Sequence, residues 1–170
     1  MSREYCVQHN NGKFSCGPIA LLNALRHQGH KAQRRHLPWL ARKLKSKGDG
    51  VYADDLDRVG RQMGALKRIY RPSVDKINAE LVKGNAVALR LGMKKQTEQG
   101  KESFGHFLLL TAIWCHCGNI SYYVCNIGRR CKWMEFGDID EYYRRFYDDW
   151  WVTHFWSVPL KPGKLRLYEI

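Results

Sequence analysis

An α+β fold is what this sequence predicts, with helices in the first half and an antiparallel sheet in the second. Apolar residues recur at helical spacing as far as Leu81. From Ala86 onward the period changes, and short runs rich in β-branched and aromatic residues follow: AVALRL, HFLLLTAIWC and ISYYVCN. Glycines close the helical segments, and no repeat or linker divides the 170 residues, so residues 1–170 read as one domain.

The helix around which the rest is organised runs from Cys16 to His27 and stops at Gly29. Ser15 is a good cap, Pro18 is tolerated only in a first turn, and Ile19 to Leu25 are apolar almost all round, as in a helix buried at a domain centre. A short strand through Tyr5–Val7 precedes it. Leu37–Lys47 reads as a second helix with Pro38 in its first turn, and the glycines at 48 and 50 mark a loop. Tyr52, Leu56, Val59 and Met63 fall on one helical face, with Asp54 and Asp55 well placed at its positive end. A short strand at Leu66–Tyr70 leads to a helix capped by Ser73, carrying Val74, Ile77 and Leu81 and ended by Gly84. Ala86–Leu91 is a buried strand. Gly92–Phe104, polar and charged, reads as a surface loop. His106–Cys115 and Ile120–Asn126 form a hairpin turning near Gly118-Asn119. A strand over Cys131–Phe136, a helix over Asp138–Tyr147 and a strand over Thr153–Leu160 complete the chain.

Composition excludes several classes. No apolar run approaches the roughly 18 residues of a membrane span, and the N-terminus lacks the apolar stretch of a secretory signal. We therefore expect a cytoplasmic protein whose six cysteines are thiols. The net charge of +13 favours a polyanionic or acidic partner. The basic residues are spread over Lys31–Lys47, Lys94–Lys101 and Arg129–Lys132 without a nucleic-acid motif, so the charge allows nucleic acid as a partner but gives no expectation of specific binding.

Cys16 is the candidate nucleophile. A thiol at a helix start sits at the positive end of the dipole beside unpaired N–H groups, and both favour the thiolate. Thiol catalysis also needs an imidazole and a group that fixes its tautomer. His106 follows Gly105 and opens the most apolar strand. Asn126 ends the next strand, and the hairpin register decides its face. A three-residue turn sets it opposite Leu110, on the face of His106; a two-residue Gly118-Asn119 turn sets it opposite Thr111 and pointing away. Asp138 and Asp140 are fallbacks. Gln8 and Asn10 precede Cys16 closely enough for a side-chain amide to join the Cys16 N–H in an oxyanion hole.

These residues carry a resemblance. Gln8, then SCGPIALLNAL, then GHFLLL, then YVCNIG resembles a papain-like cysteine peptidase, closest to the branch of double-glycine (bacteriocin) leader peptidases and their stand-alone relatives. It covers about residues 5–130; residues 131–170 have no counterpart there. The resemblance implies a papain-like fold, Cys16 as nucleophile, His106 as general base, Asn126 as orienting residue, Gln8 as oxyanion donor, and no cofactor. Two positions depart from the pattern. The family glutamine stands six residues before the cysteine, where this chain has Asn10, and the orienting residue is more often Asp followed by Pro.

The expected function is thus thiol-dependent hydrolysis of a peptide or isopeptide bond through an acyl-enzyme, on a protein or peptide substrate for which an acidic one suits the charge. Acyl transfer and deamidation use the same site. A catalytically inactive domain of this fold, binding protein or nucleic acid through its basic, aromatic second half, is the alternative; Trp114, Trp133, Trp150, Trp151 and Trp156 with Tyr142, Tyr143 and Tyr147 are its candidate surface. Zinc at Cys115, His116, Cys117, Cys125 and Cys131 is disfavoured, because Cys-x-Cys in a strand and turn is not a zinc-finger spacing. The nearness of Cys16 to the N-terminus leads us to expect no pro-segment.

Overall fold

A computed structural model describes residues 16–46, 50–127 and 130–160, the last range without the Arg130 side chain. Among these residues five α-helices, α1 (Cys16–His27), α2 (Leu37–Lys43), α3 (Ala53–Gln62), α4 (Val74–Val82) and α5 (Phe136–Phe146), pack on one antiparallel sheet. Its strands are β1 (Lys67–Ile69), β2 (Ala86–Thr97), β3 (Gly100–His116), β4 (Asn119–Ile127), β5 (Arg130–Glu135) and β6 (Asp149–Val158), in the spatial order β1-β6-β2-β3-β4-β5. The α+β segregation expected from the sequence is what forms. One refinement is that β6 inserts between β1 and β2, second from one edge of the sheet.

The helix stops work as their chemistry dictates. Gly29, Gly64 and Gly84 all take positive φ just past α1, α3 and α4, and the Ser73 hydroxyl accepts the Lys76 N–H as the cap of α4. The second helix is shorter than expected. A 3-10 turn over Arg34–His36 precedes it, and Lys45, at φ 51°, ends it before the basic tail.

Gly92–Phe104 is not a loop. β2 and β3 continue outward through it as a paired ribbon, from Gly92 opposite Gly105 to Thr97 opposite Gly100. Its polarity reflects exposure rather than irregular backbone: the ladder satisfies the main chain while most side chains face water. Asp148 buttresses it, accepting the Gln96 N–H and donating its own N–H to the Lys94 carbonyl. The next hairpin turns at Cys117-Gly118, both at positive φ, with His116 opposite Asn119. That is neither of the registers considered from sequence. A bulge at Thr111 then shifts the pairing, setting Leu109 opposite Cys125.

The sheet has two apolar faces. Ala88, Phe107, Leu109 and Trp156 pack on α1, α2 and α3; Leu89, Leu108, Val124 and Phe155 pack with α4 and α5. Each fully buried leucine of α1 contributes about 1.5–3 kcal/mol of transfer free energy. Long polar side chains pin the end of α1: the Gln28 amide donates to the Gly64 and Pro159 carbonyls, each at 3.0 Å. Trp156 Nε1 donates to Asp57, tying β6 to α3. Of the aromatic residues considered as a surface, Tyr143 and Trp156 are buried, whereas Trp114 and Trp133 are 56% and 48% exposed and form part of a ring cluster with Tyr123 and His116. The expectation of six thiols fails at Cys131, which is disulfide-bonded. Cys16, Cys115, Cys117 and Cys125 carry thiols. No helix among the described residues is long and apolar enough to cross a membrane.

Candidate active site

Cys16 is the first residue of α1, half-buried against β3. Gly17 beside it is required by space, since a Cβ there would lie 2.8 Å from the Val51 side chain. Burial alone would push the Cys16 thiol up. It is overcome by a hydrogen bond and the charge of His106, helped by the N–H groups of Phe107 and Gly17, and the net shift is downward from the ordinary thiol value. For His106, burial alone would favour the neutral ring. The hydrogen bond and charge of Cys16 outweigh it, the Asn126 main chain adds to them, and the imidazole is shifted upward. The opposed shifts both favour the charged forms, the thiolate of Cys16 and the imidazolium of His106.

The third member differs from a side-chain triad. His106 Nε2 lies 2.9 Å from the main-chain carbonyl of Asn126. A carbonyl only accepts, so Nε2 carries the proton and Nδ1 is left for the sulfur. Asn126 occupies a bulge between Cys125 and Ile127 at φ 68°, a left-handed conformation open to asparagine. Its amide nitrogen is buried without a hydrogen-bond partner. Cys16, His106 and Asn126 are thus brought together, Asn126 by its backbone.

The other candidates lie elsewhere. Gln8 and Asn10 are outside the described residues. Asp138 accepts the Glu135 N–H at the start of α5, and Asp140 accepts from Arg144 Nε and Trp150 Nε1. Cys125 is buried, its thiol pushed up to about 12 by burial against a hydrogen bond with Thr111. No group of three or more potential metal ligands occurs among the described residues.

A cleft of ≈ 120 Å³ opens beside Cys16, between Val51 and Tyr52 before α3 and the sheet residues Arg90, Gly105 and Phe107. A larger hollow of ≈ 510 Å³ lies apart from it, lined by apolar side chains of the other sheet face together with α4 and α5 residues such as Ile77 and Ile139. Apart from Cys16, the cleft residues are not among the sequence's candidate site residues. One signal was available: a charge in the middle of the otherwise apolar strand AVALRL.

No protein-family model matches the chain, and none of the curated proteins compared with it matches. Among solved structures it is similar to the peptidase domain of Streptococcus ComA, a bifunctional ABC transporter involved in a quorum-sensing pathway. That likeness has a TM-score of 0.57 at 12% sequence identity and covers 92% of this chain and 99% of that one, so it runs past residue 130. Such a match speaks to architecture. This chain has the papain-like fold of that peptidase domain.

Proposed function

We propose that the protein is a thiol-dependent hydrolase that cleaves a peptide or isopeptide bond. The observation that carries the reading is the hydrogen-bonded Cys16–His106 pair at a helix start, its imidazole fixed by a carbonyl at 2.9 Å. The Cys16 thiolate attacks the substrate carbonyl carbon, and the tetrahedral oxyanion collapses with rupture of the C–N bond. The leaving amine takes the proton from His106 Nδ1. Water then attacks the thioester, His106 takes its proton, and the C–S bond breaks to return the thiolate. In this reading the Cys16 N–H with Gln8 or Asn10 stabilises the oxyanion, and no cofactor takes part. Fixing the ring at Nε2 keeps Nδ1 facing the sulfur through both proton transfers.

The substrate in this reading is a protein or peptide, with an acidic one favoured by the +13 charge. The reading also keeps the protein in the cytoplasm, against which the disulfide at Cys131 counts. Differential thiol labelling of cell extracts decides that point: reduced Cys131 supports a cytoplasmic setting, and bridged Cys131 argues against one. Turnover is tested on quenched-fluorescence peptide libraries with the wild type and Cys16→Ala. Wild-type cleavage with a trapped acyl-enzyme on Cys16 is expected, and none in the variant, whose melting temperature should be unchanged. Cleavage that survives in Cys16→Ala removes the nucleophile from this reading.

A further inference from the structure

Arg90 sits in the third pair of residues from the core end of β2, between the buried Leu89 and Leu91. It faces the side of the sheet that α1 covers and lines the cleft with Cys16. A charged residue there needs compensation, because a half-buried cation loses hydration. It receives little. Nη1 donates to Thr153 Oγ1 at 3.1 Å, and the same hydroxyl donates back to the Arg90 carbonyl. None of the ion pairs among the described residues involves Arg90. The charge of Arg90, after burial and Arg68, helps hold the neighbouring His154 imidazole below its ordinary value, so the cation is felt locally.

Its position is built rather than incidental. The guanidinium lies over Gly105, where a side chain would stand: a Cβ on Gly105 would come within 2.7 Å of Nη2 and 3.2 Å of Cζ. Gly105 immediately precedes His106. Thr153 holds one edge of the fork and the glycine allows it to lie flat, which leaves Nη2 for the cleft. A planar, always-charged fork with unused donors matches a carboxylate in two-point geometry.

We infer that Arg90 determines specificity at this site by binding a carboxylate carried by the substrate next to the scissile amide. The inference rests on the proposed reading of Cys16 as nucleophile. The carboxylate can come from an aspartate or glutamate side chain or from a chain terminus, and the chemistry recognised is the same. The result is a preference for acidic substrates set at one residue, distinct from the diffuse attraction of the net charge.

The test needs no known substrate. The full chain is alkylated at pH 6 with iodoacetate or iodoacetamide, which differ in carrying or lacking a carboxylate, and modification of Cys16 is followed by mass spectrometry. The readout is the rate ratio within each variant, so changes in overall reactivity cancel, as does the attraction of the His106 imidazolium. Arg90→Gln should lower the ratio about tenfold, the order that one cation lining the same cleft produces near a protein surface. Arg90→Lys, which keeps the charge, should retain most of it and so separates charge from packing. Protection of Cys16 distinguishes the two sources: acetyl-Gly-Asp-amide offers only a side-chain carboxylate, acetyl-Gly-Gly only a terminal one, and acetyl-Gly-Gly-amide neither. Protection by one or both acids above the amide, lost in Arg90→Gln, supports the inference and names the source. A ratio unchanged in Arg90→Gln, or equal protection by all three peptides, overturns it while leaving the nucleophile intact. If neither reagent modifies Cys16 at pH 6, the nucleophile reading falls and takes this inference with it.

Discussion

His106 takes its orientation from the main-chain carbonyl of Asn126, 2.9 Å from Nε2, while the side-chain nitrogen of Asn126 is buried without a partner. The feature that matters at position 126 is therefore its left-handed backbone. Asn126→Gly keeps both the carbonyl and the conformation, so Cys16 labelling at pH 6 should stay within about threefold of wild type. Asn126→Val is β-branched and should cost roughly 1–2 kcal/mol at that φ, lowering the melting temperature and moving the labelling profile toward that of an ordinary thiol. A hundredfold loss in the glycine variant would instead assign the orienting role to the amide.

The opposed shifts of Cys16 and His106 set a pH window. As pH falls through the lowered Cys16 value, the thiolate is protonated and both alkylation and cleavage decline. As pH rises through the raised His106 value, the thiolate persists but the proton for the leaving amine is gone, so cleavage declines while alkylation does not. Peptidase activity should be bell-shaped and iodoacetamide labelling a single rise, read side by side from pH 4 to 10. Cys125, whose thiol is pushed up to about 12, should stay unlabelled throughout in the folded protein and serves as an internal standard.

Gly60 gives a contest between two magnitudes. It lies within α3, where glycine is unfavourable relative to alanine by about 1 kcal/mol. A Cβ there would meet the buried Leu66 side chain at 2.4 Å, and overpacking costs about 1–3 kcal/mol. Crowding should win. Gly60→Ala is expected to lose up to about 2 kcal/mol in urea denaturation, by the difference of those terms; a gain in stability would mean that Leu66 moves aside freely.

Gln28, 2% exposed, joins the end of α1 to the turn after α3 and to the residue just beyond β6. Gln28→Ala leaves the Gly64 and Pro159 carbonyls without these donors and should cost about 1–3 kcal/mol. Hydrogen exchange should then speed up at the ends of α1 and β6 while the ribbon beyond Gly92 is unaffected.

The helices were legible because each carried its own punctuation: Pro18 and Gly29 for α1, Ser73 and Gly84 for α4. The path of Cys16 toward a histidine strand was legible for the same reason, since a capped apolar helix and a long apolar run must pack on each other. What was not legible was set by the turn and by bulges. The turn at Cys117-Gly118 already put the hairpin off both expected pairings, an extra residue at Thr111 shifted it again and one at Asn126 shifted the pairing with β5, and no local residue pattern announces a bulge of this kind. The ribbon at Gly92–Phe104 was misread because strand residues exposed on both faces lack the alternation by which strands are recognised. Arg90 was visible as a misplaced charge, but the glycine that makes room for it lies on another strand.

Cys16 opens the first helix and His106 lies in the third strand, with three further helices, α2, α3 and α4, and the strands β1 and β2 to be laid down before they meet. The nucleophile is consequently a late product of folding. A nascent or half-assembled chain carries at that position only an ordinary thiol, slow toward electrophiles and harmless toward amides. Quench-labelling with iodoacetamide at pH 6 during refolding would time the moment of arming, which should coincide with closure of the sheet on α1 rather than with formation of the helix. Topology here acts as a safety catch, released only by the finished tertiary structure.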